Sequence, residues 1–277
     1  MRVLLIAPNG MLGRAWKQLL EAQAIDHQAV ARPDLDLADP RSIHSAVTAD
    51  FTHVVNAAAW TDVDGAEEHE ARATQINGDA VAELAKACKT RDAQLIHYST
   101  DYVFNGQATS PYPIDSPRDP VNAYGRSKAA GETAIEASGA RHLTLRTSWV
   151  YAPWGKNFVL TIRKLAGERD VLQVVADQRG RPTSAQHLAK ASLDLMRAKA
   201  EGYLHVTDGG EATWHDLAVH VAERSHSPCK ILPCTTDTFP RPAKRPAYSV
   251  LDLAPTEAII GPMPSWRDNV TAVMKQL

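Results

Sequence analysis

Cysteine is scarce: 277 residues hold three, Cys88, Cys229 and Cys234, with no Cys-x-x-Cys pair among them. An odd, unpatterned set excludes a disulfide framework and fits reduced thiols in the cytoplasm. Long apolar runs are missing too, since none approaches the ~18 residues that a membrane span needs. The apolar start, Met1–Ala7, has no cleavage region behind it and runs into a glycine turn, so a first strand is expected there and not a signal peptide. Charge of one sign is also lacking: 30 Lys and Arg against 32 Asp and Glu leave a formal net charge of −2. That balance carries no electrostatic footprint for nucleic acid or an anionic membrane. Eleven histidines are present, yet His215, His220 and His226 miss the i, i+4 relation and no H-E-x-x-H occurs. No catalytic metal is expected. Repeats and low-complexity tracts are absent.

What remains is ordinary for a globule, with 44% hydrophobic and 22% charged residues. The length suits one large α/β domain or a domain with a smaller lobe. Strand-like runs at Met1–Ala7, His27–Ala31, His53–Ala58, Gln94–Ser99 and His142–Val150 alternate with helical patterns. The helical stretches begin near Leu12, at Ser42–Thr48, at Ala66–Arg91 and at Tyr124–Ser138. Such alternation predicts a Rossmann-like, doubly wound parallel sheet. Ligands of such sheets sit at the carboxyl ends of strands. Gly10, Ala58 to Thr61, Thr100 with Asp101, and Trp149 all fall there.

Two of these ends carry recognisable chemistry. After the first strand comes Pro8-Asn9-Gly10-Met11-Leu12-Gly13, a glycine turn opening a helix, which can set a pyrophosphate on backbone N–H groups. Gly10 allows close approach to phosphate and Gly13 close packing of helix on strand. Ala7 stands where a first glycine is expected, which suits alanine only if its φ is negative. An ordinary βα turn is the alternative. After the fourth strand, Thr100 and Asp101 precede Tyr124 and Lys128. Tyrosine and lysine four apart share a helix face. An ammonium beside a phenol lowers the pKa of the phenol, and such a phenol can protonate a carbonyl oxygen as a hydride reaches its carbon.

Ala7-x-x-Gly10-x-x-Gly13, Thr100-Asp-Tyr-Val-Phe104 and Tyr124-x-x-x-Lys128 resemble the extended short-chain dehydrogenases/reductases. Asn56-Ala-Ala-Ala-Trp-Thr-Asp-Val-Asp-Gly-Ala-Glu67, Arg146-Thr-Ser-Trp-Val-Tyr151, Asp177-Gln-x-Gly-x-Pro-Thr183, Lys244-Arg-Pro-x-x-Ser-x-Leu251 and Trp266-Arg-Asp268 narrow the resemblance to the dTDP-4-dehydrorhamnose reductase family. The resemblance spans almost the whole chain. It implies NADPH- or NADH-dependent reduction of the C4 ketone of dTDP-4-dehydro-β-L-rhamnose to dTDP-L-rhamnose, a precursor of cell-surface polysaccharide.

By the same resemblance, Tyr124 donates the proton, Thr100 binds the C4 oxygen, and Lys128 holds the nicotinamide ribose and lowers the pKa of Tyr124. Asp101 and Trp149 line the sugar pocket. Gly10, Met11, Leu12 and Gly13 carry the pyrophosphate, Asp36 and Leu37 lie near the adenosine, and Ala59, Trp60 and Thr61 near the nicotinamide. Tyr98 touches the cofactor. Trp60 stands where the family usually has Tyr. Arg32, just after the second strand, would favour the 2′-phosphate of NADPH. Plainer roles stay open: Asp36 and Asp39 as turn and cap residues, Asp101 as a turn cap, Trp149 as a buried anchor, and Arg245-Pro246 as a rim turn. Residues 1–151 are expected to hold the cofactor, with 185–205 returning to that domain, and 152–277 to form a nucleotide-sugar lobe.

Some members of the family dimerise around magnesium held by glutamates, one of them just after the glycine loop. Arg14-Ala15 occupies that place, so a monomer or metal-independent homodimer is expected. Two other readings share the fold: a reductase of a related deoxysugar nucleotide, and a non-catalytic regulatory subunit resembling the β subunit of methionine adenosyltransferase.

Overall fold

A computed structural model describes residues Met1–Leu277. The first half alternates strands and helices: β1 (Arg2–Ile6), α1 (Met11–Ala22), β2 (Asp26–Val30), α2 (Pro40–Ala46) and β3 (His53–Asn56). Short helices α3 (Gly65–Glu68) and α4 (Glu70–Thr74) lead through a π-helical turn, Gln75–Asp79, into α5 (Ala80–Thr90). Then come β4 (Gln94–Thr100), α6 (Ala123–Ser138) and β5 (His142–Thr147). The second half holds β6 (Val150–Tyr151), α7 (Phe158–Glu168), β7 (Val171–Val175), β8 (Arg179–Gly180), β9 (Thr183–Ser184), α8 (Ala185–Arg197) and β10 (Gly202–His205). It ends with β11 (Ala212–Thr213), α9 (Trp214–Arg224), β12 (Lys230–Cys234), α10 (Ala254–Ile260) and α11 (Trp266–Met274).

Six strands form one parallel sheet in the order β2-β1-β3-β4-β5-β10. Strand order reverses between β1 and β3, and that reversal opens a crevice at the carboxyl edge. Side chains alternate across the sheet with the period of two that strand geometry imposes. Val3, Leu5 and Ile96 bury against Trp16 and Leu20 of α1 and Leu188 and Leu195 of α8. Leu4, Ile6, Val54 and Leu95 bury on the other face against Leu84, Cys88 and Ile135. A separate core of Tyr151, Val159, Leu172, Leu217, Trp266 and Val270 holds α7, α9 and α11 together. No helix is long and apolar enough to cross a membrane.

Three local features differ from the sequence reading. The single helix expected over Ala66–Arg91 is interrupted at His69 (φ −126°, ψ 40°) and again by the π turn. The wider turn carries Asn77 toward α6, where Gly131 makes room: a Cβ there would stand 2.2 Å from the Asn77 carbonyl oxygen. The strand expected over His142–Val150 stops at Thr147, because Trp149 takes a left-handed φ of 48° and turns the chain into β6, which pairs with β9.

The third difference is Ala7, whose φ is +60° and not negative. Its carbonyl oxygen accepts from Gly10 N at 3.2 Å and would stand 2.0 Å from a Cβ on Gly13. The turn therefore keeps the backbone shape that glycine favours while using alanine. A left-handed L-residue costs roughly 1–2 kcal/mol, against about 0.5–1 kcal/mol for the extra freedom glycine loses on folding. Ala7→Gly should thus raise the unfolding free energy in urea by up to about 1 kcal/mol. A clear loss of stability would contradict the strain assigned to Ala7.

Candidate active site

Asn122 starts α6 by accepting a bond from Gly125 N at 2.7 Å through Oδ1, and its Nδ2 donates to Lys244 O at 2.8 Å. Gly125 is needed at this entry because a Cβ would lie 2.2 Å from Tyr102 O. One face of the helix then presents Tyr124, partly exposed, and Lys128, buried to 1%. Lys128 Nζ donates to Tyr98 O at 2.6 Å and lies 3.3 Å from His97 Nε2. Burial pushes its pKa down to about 8, opposed by the charge of Glu132. The Tyr124 phenol is shifted upward, first by burial and then by the Asp101 charge, with the Thr100 hydroxyl opposing. In the chain without cofactor burial raises the phenol's pKa, where the sequence reading expected Lys128 to lower it.

Thr100 and Asp101 close the other side. Thr100 Oγ1 donates to Asp101 Oδ1 at 2.9 Å and accepts from Tyr102 N at 3.2 Å. Asp101 is buried to 2%, and its Oδ2 has no partner in the protein. Burial pushes its carboxyl up to about 7, with the neighbouring Ser249 and Thr100 hydroxyls opposing. Tyr102 packs edge-on against Tyr124, ring centres 5.9 Å apart.

The glycine turn follows β1 at the same carboxyl edge of the sheet. Gly10 is the N-cap of α1 without a side-chain cap, and the first turn holds no acidic residue. The first carbonyl bond inside the helix comes from Arg14 N, so the N–H groups of Met11, Leu12 and Gly13 stay free of the helix ladder. A Cβ on Gly10 would meet nothing nearer than 3.5 Å. This is an open anion cradle. Trp154 leans over it, donating from Nε1 to Met11 O at 3.0 Å, with the Arg14 guanidinium 4.5 Å above its ring.

Other expected cofactor residues are placed unevenly. Ala59 and Thr61 are exposed beyond β3. Trp60 is clamped by Asn77, which accepts from its backbone N at 2.9 Å and donates to its O at 3.0 Å. Arg32 is exposed after β2, and Leu37 packs on the core below. Asp36 accepts from Ala38 N and Asp39 from Arg41 N, so both act as turn and cap residues. The Tyr98 side chain points away from the crevice. Its hydroxyl is fixed between Trp16 Nε1 at 2.6 Å and Ser192 Oγ at 2.9 Å, and only its carbonyl reaches the site, through Lys128.

A groove of about 1070 Å³ runs from Tyr102 between α7, β7 and the 236–247 segment. Trp214 lines it, stacked on Trp149 with ring centres 3.7 Å apart, and Gly180 leaves space for the Trp149 ring. Lys244 stands on its rim beside Arg241 and Arg245, which face Asp64 at 4.0 and 3.0 Å. Asn56, Asn77, His97 and Ser127 shape the site without having been singled out. Only the polar Asn77 inside a helical run hinted at a break.

A parallel sheet with an uncapped glycine turn at its switch point, flanked by a Tyr-x-x-x-Lys helix, is the architecture of the extended short-chain dehydrogenases/reductases. The family model described as the RmlD substrate binding domain matches residues 1–277, and the chain belongs to that family. A dTDP-4-dehydrorhamnose reductase of Burkholderia thailandensis is 40% identical over 100% of this chain and 99% of its own length. A crystal structure of a dTDP-4-dehydrorhamnose reductase from Clostridium acetobutylicum superposes with a TM-score of 0.96 at 34% identity, covering 100% of this chain and 99% of the other. One from Bacillus anthracis, solved in complex with NADP, gives 0.95 at 30% identity with the same coverage.

Asp101 yields a pH test. Its folded pKa, about 7, lies above the ordinary 3.8, so the folded chain holds this proton more tightly than the unfolded one. The stabilisation is complete below the unfolded value and is lost as pH rises through about 7. Asp101→Asn, which cannot ionise, should therefore gain stability over the native chain progressively from about pH 4 to about pH 8, reaching about 1–4 kcal/mol. Thermal melts across that range check this. A difference independent of pH would mean that the carboxyl ionises as freely as in water.

Proposed function

We propose that the chain is a cytoplasmic NAD(P)H-dependent reductase that converts dTDP-4-dehydro-β-L-rhamnose to dTDP-L-rhamnose, as a monomer or metal-independent homodimer. The reading rests on one observation above all: Thr100, Asp101, Tyr124 and Lys128 gather where the carboxyl end of β4 meets the start of α6, next to the Tyr102 end of the groove. The sheet half, with 185–205, would hold the cofactor, and most of 152–277 the nucleotide sugar.

The open cradle at Gly10 to Gly13 fits a dinucleotide pyrophosphate, because its N–H groups are free and no carboxylate repels an anion. A reduced nicotinamide supplies the hydride when bound. Tyr124 then gives its proton to the C4 oxygen, and its raised pKa in the empty site keeps that proton available at neutral pH. Thr100 would turn its hydroxyl from Asp101 to the same oxygen, which it can do while Asp101 is protonated. Lys128 would hold the ribose. Trp149 and Trp214 offer a flat apolar wall for the sugar nucleotide, and Lys244 with Arg245 a basic rim for its diphosphate.

Tyr124→Phe keeps the ring and should leave folding and cofactor binding nearly unchanged while NADPH consumption falls by roughly 10²–10⁴. A panel of nucleotide 4-ketosugars separates this reductase from one acting on a related deoxysugar. Normal turnover by Tyr124→Phe would falsify the mechanism, and tight NADPH binding without reduction of any ketosugar would leave the regulatory-subunit reading. At the adenosine end, Arg32→Ala should weaken NADPH by roughly 1–3 kcal/mol if it removes a charge-assisted bond to the 2′-phosphate. Equal weakening of NADH would assign Arg32 a structural role instead.

A further inference from the structure

Behind Lys128 lies a buried line of polar groups that the mechanism above does not use. Asn56 and His97 are exposed by 1% and 0%. Ala58 N donates to Asn56 Oδ1 at 3.2 Å, Asn56 Nδ2 lies 3.3 Å from His97 Nδ1, and His97 Nε2 lies 3.3 Å from Lys128 Nζ.

The direction of this line is fixed at its start. A backbone N–H can only donate, so the Asn56 oxygen faces Ala58 and the Asn56 amide N–H faces His97. Nδ1 of His97 therefore accepts, and a neutral imidazole that accepts at Nδ1 carries its proton on Nε2. The ring is neutral because burial holds its pKa well below the ordinary value. His97 thus points an N–H at the lysine nitrogen. An ammonium there would set donor against donor. A neutral amine has a lone pair to receive the bond, and still donates to Tyr98 O at 2.6 Å.

The remaining charges around the lysine leave this assignment in place. Glu132, one turn further along α6, is bound to Ser99, Arg118 and Arg146. Tyr124 lies one turn back on α6, Asp101 follows β4, and His142 on β5 acts through His97. No carboxylate lies within ion-pair distance of Lys128: its nitrogen takes part in none of the protein's salt bridges.

We propose that Asn56 and His97 are positioning residues that favour the neutral amine of Lys128 in the cofactor-free chain, so that Lys128 takes up a proton from solvent as the dinucleotide binds. The proposal rests on the reading that Lys128 meets the cofactor ribose. It also accounts for the state of Tyr124. The phenol keeps its proton without cofactor, and the ammonium that eases its release is favoured further once the hydride donor is in place.

Titration calorimetry of NADPH into the native chain, in buffers of different ionisation enthalpy, counts the protons taken up. At about pH 9, above the lysine's pKa of about 8, the native chain should take up about one proton per NADPH bound. In Asn56→Asp the carboxylate accepts from both Ala58 N and His97. The ring must then carry its proton on Nδ1 and offer Nε2 as an acceptor, so Lys128 is charged beforehand and uptake should fall several-fold. Equal uptake in both chains, or none in the native chain, overturns the proposal.

A second measurement needs no cofactor. In the chain labelled with ¹⁵N-histidine, with His97→Gln used to assign the signal, His97 should show a bare Nδ1 and a protonated Nε2. Asn56→Asp should exchange them. A protonated Nδ1 in the native chain, or the same tautomer in both chains, overturns the proposal even if NADPH fails to bind, a failure that would count against the proposed function instead.

Discussion

The close approach of α6 to the π turn before α5 governs the site. Two backbones can lie this near only where a side chain is missing, and Gly131 provides that gap against the Asn77 carbonyl. The contact places the Asn77 side chain between three groups: the backbone N and O of Trp60 and the hydroxyl of Ser127. It thereby ties the loop after β3 to the helix that carries Tyr124 and Lys128. Gly125, pressed against Tyr102 O, makes a second such contact at the start of the helix. A larger residue at either glycine would push α6 off the strand ends and separate Tyr124 from Thr100.

Close packing has an electrostatic consequence. Water is squeezed from around Lys128 and Asp101, and these two and the phenol of the partly exposed Tyr124 disfavour their charged forms. The carboxyl is pushed up to about 7 and the lysine down to about 8, so both change charge close to neutral pH where a hydride and a proton are to meet. Two of the left-handed non-glycine residues lie at the same edge. Ala7 and Trp149 both adopt left-handed φ after strand ends, one shaping the glycine turn and the other stacking its indole on Trp214 of the groove.

Much of this was legible in the sequence, for physical reasons. Apolar strands buried on both faces and helices of regular spacing repeat over many residues, so the parallel sheet could be read before any contact was known. The Gly10-to-Gly13 turn and the Tyr124–Lys128 spacing are local, and local geometry survives in sequence. Tyr98 shows the limit. Two residues before Thr100 in sequence, it packs into the core under α1 and α8, and its hydroxyl is held by Trp16 and Ser192 from two distant helices. The π turn was hidden because helical periodicity continues on both sides of it. The pKa of Tyr124 was misjudged because a spacing argument counts neighbouring charge and omits desolvation, which here is the larger effect. The groove joins Tyr102 to Trp214 and Lys244, residues more than a hundred positions apart, and no local pattern announces it.

The central claim is that this edge of the sheet delivers a hydride to a ketosugar carbon. NADPH carrying deuterium on the transferable face of its nicotinamide, incubated with the native chain and dTDP-4-dehydro-β-L-rhamnose, tests it most directly. The account predicts one deuterium at C4 of the dTDP-L-rhamnose formed, visible by NMR and mass spectrometry. Product without deuterium at C4, or bound cofactor that is never consumed, would contradict it.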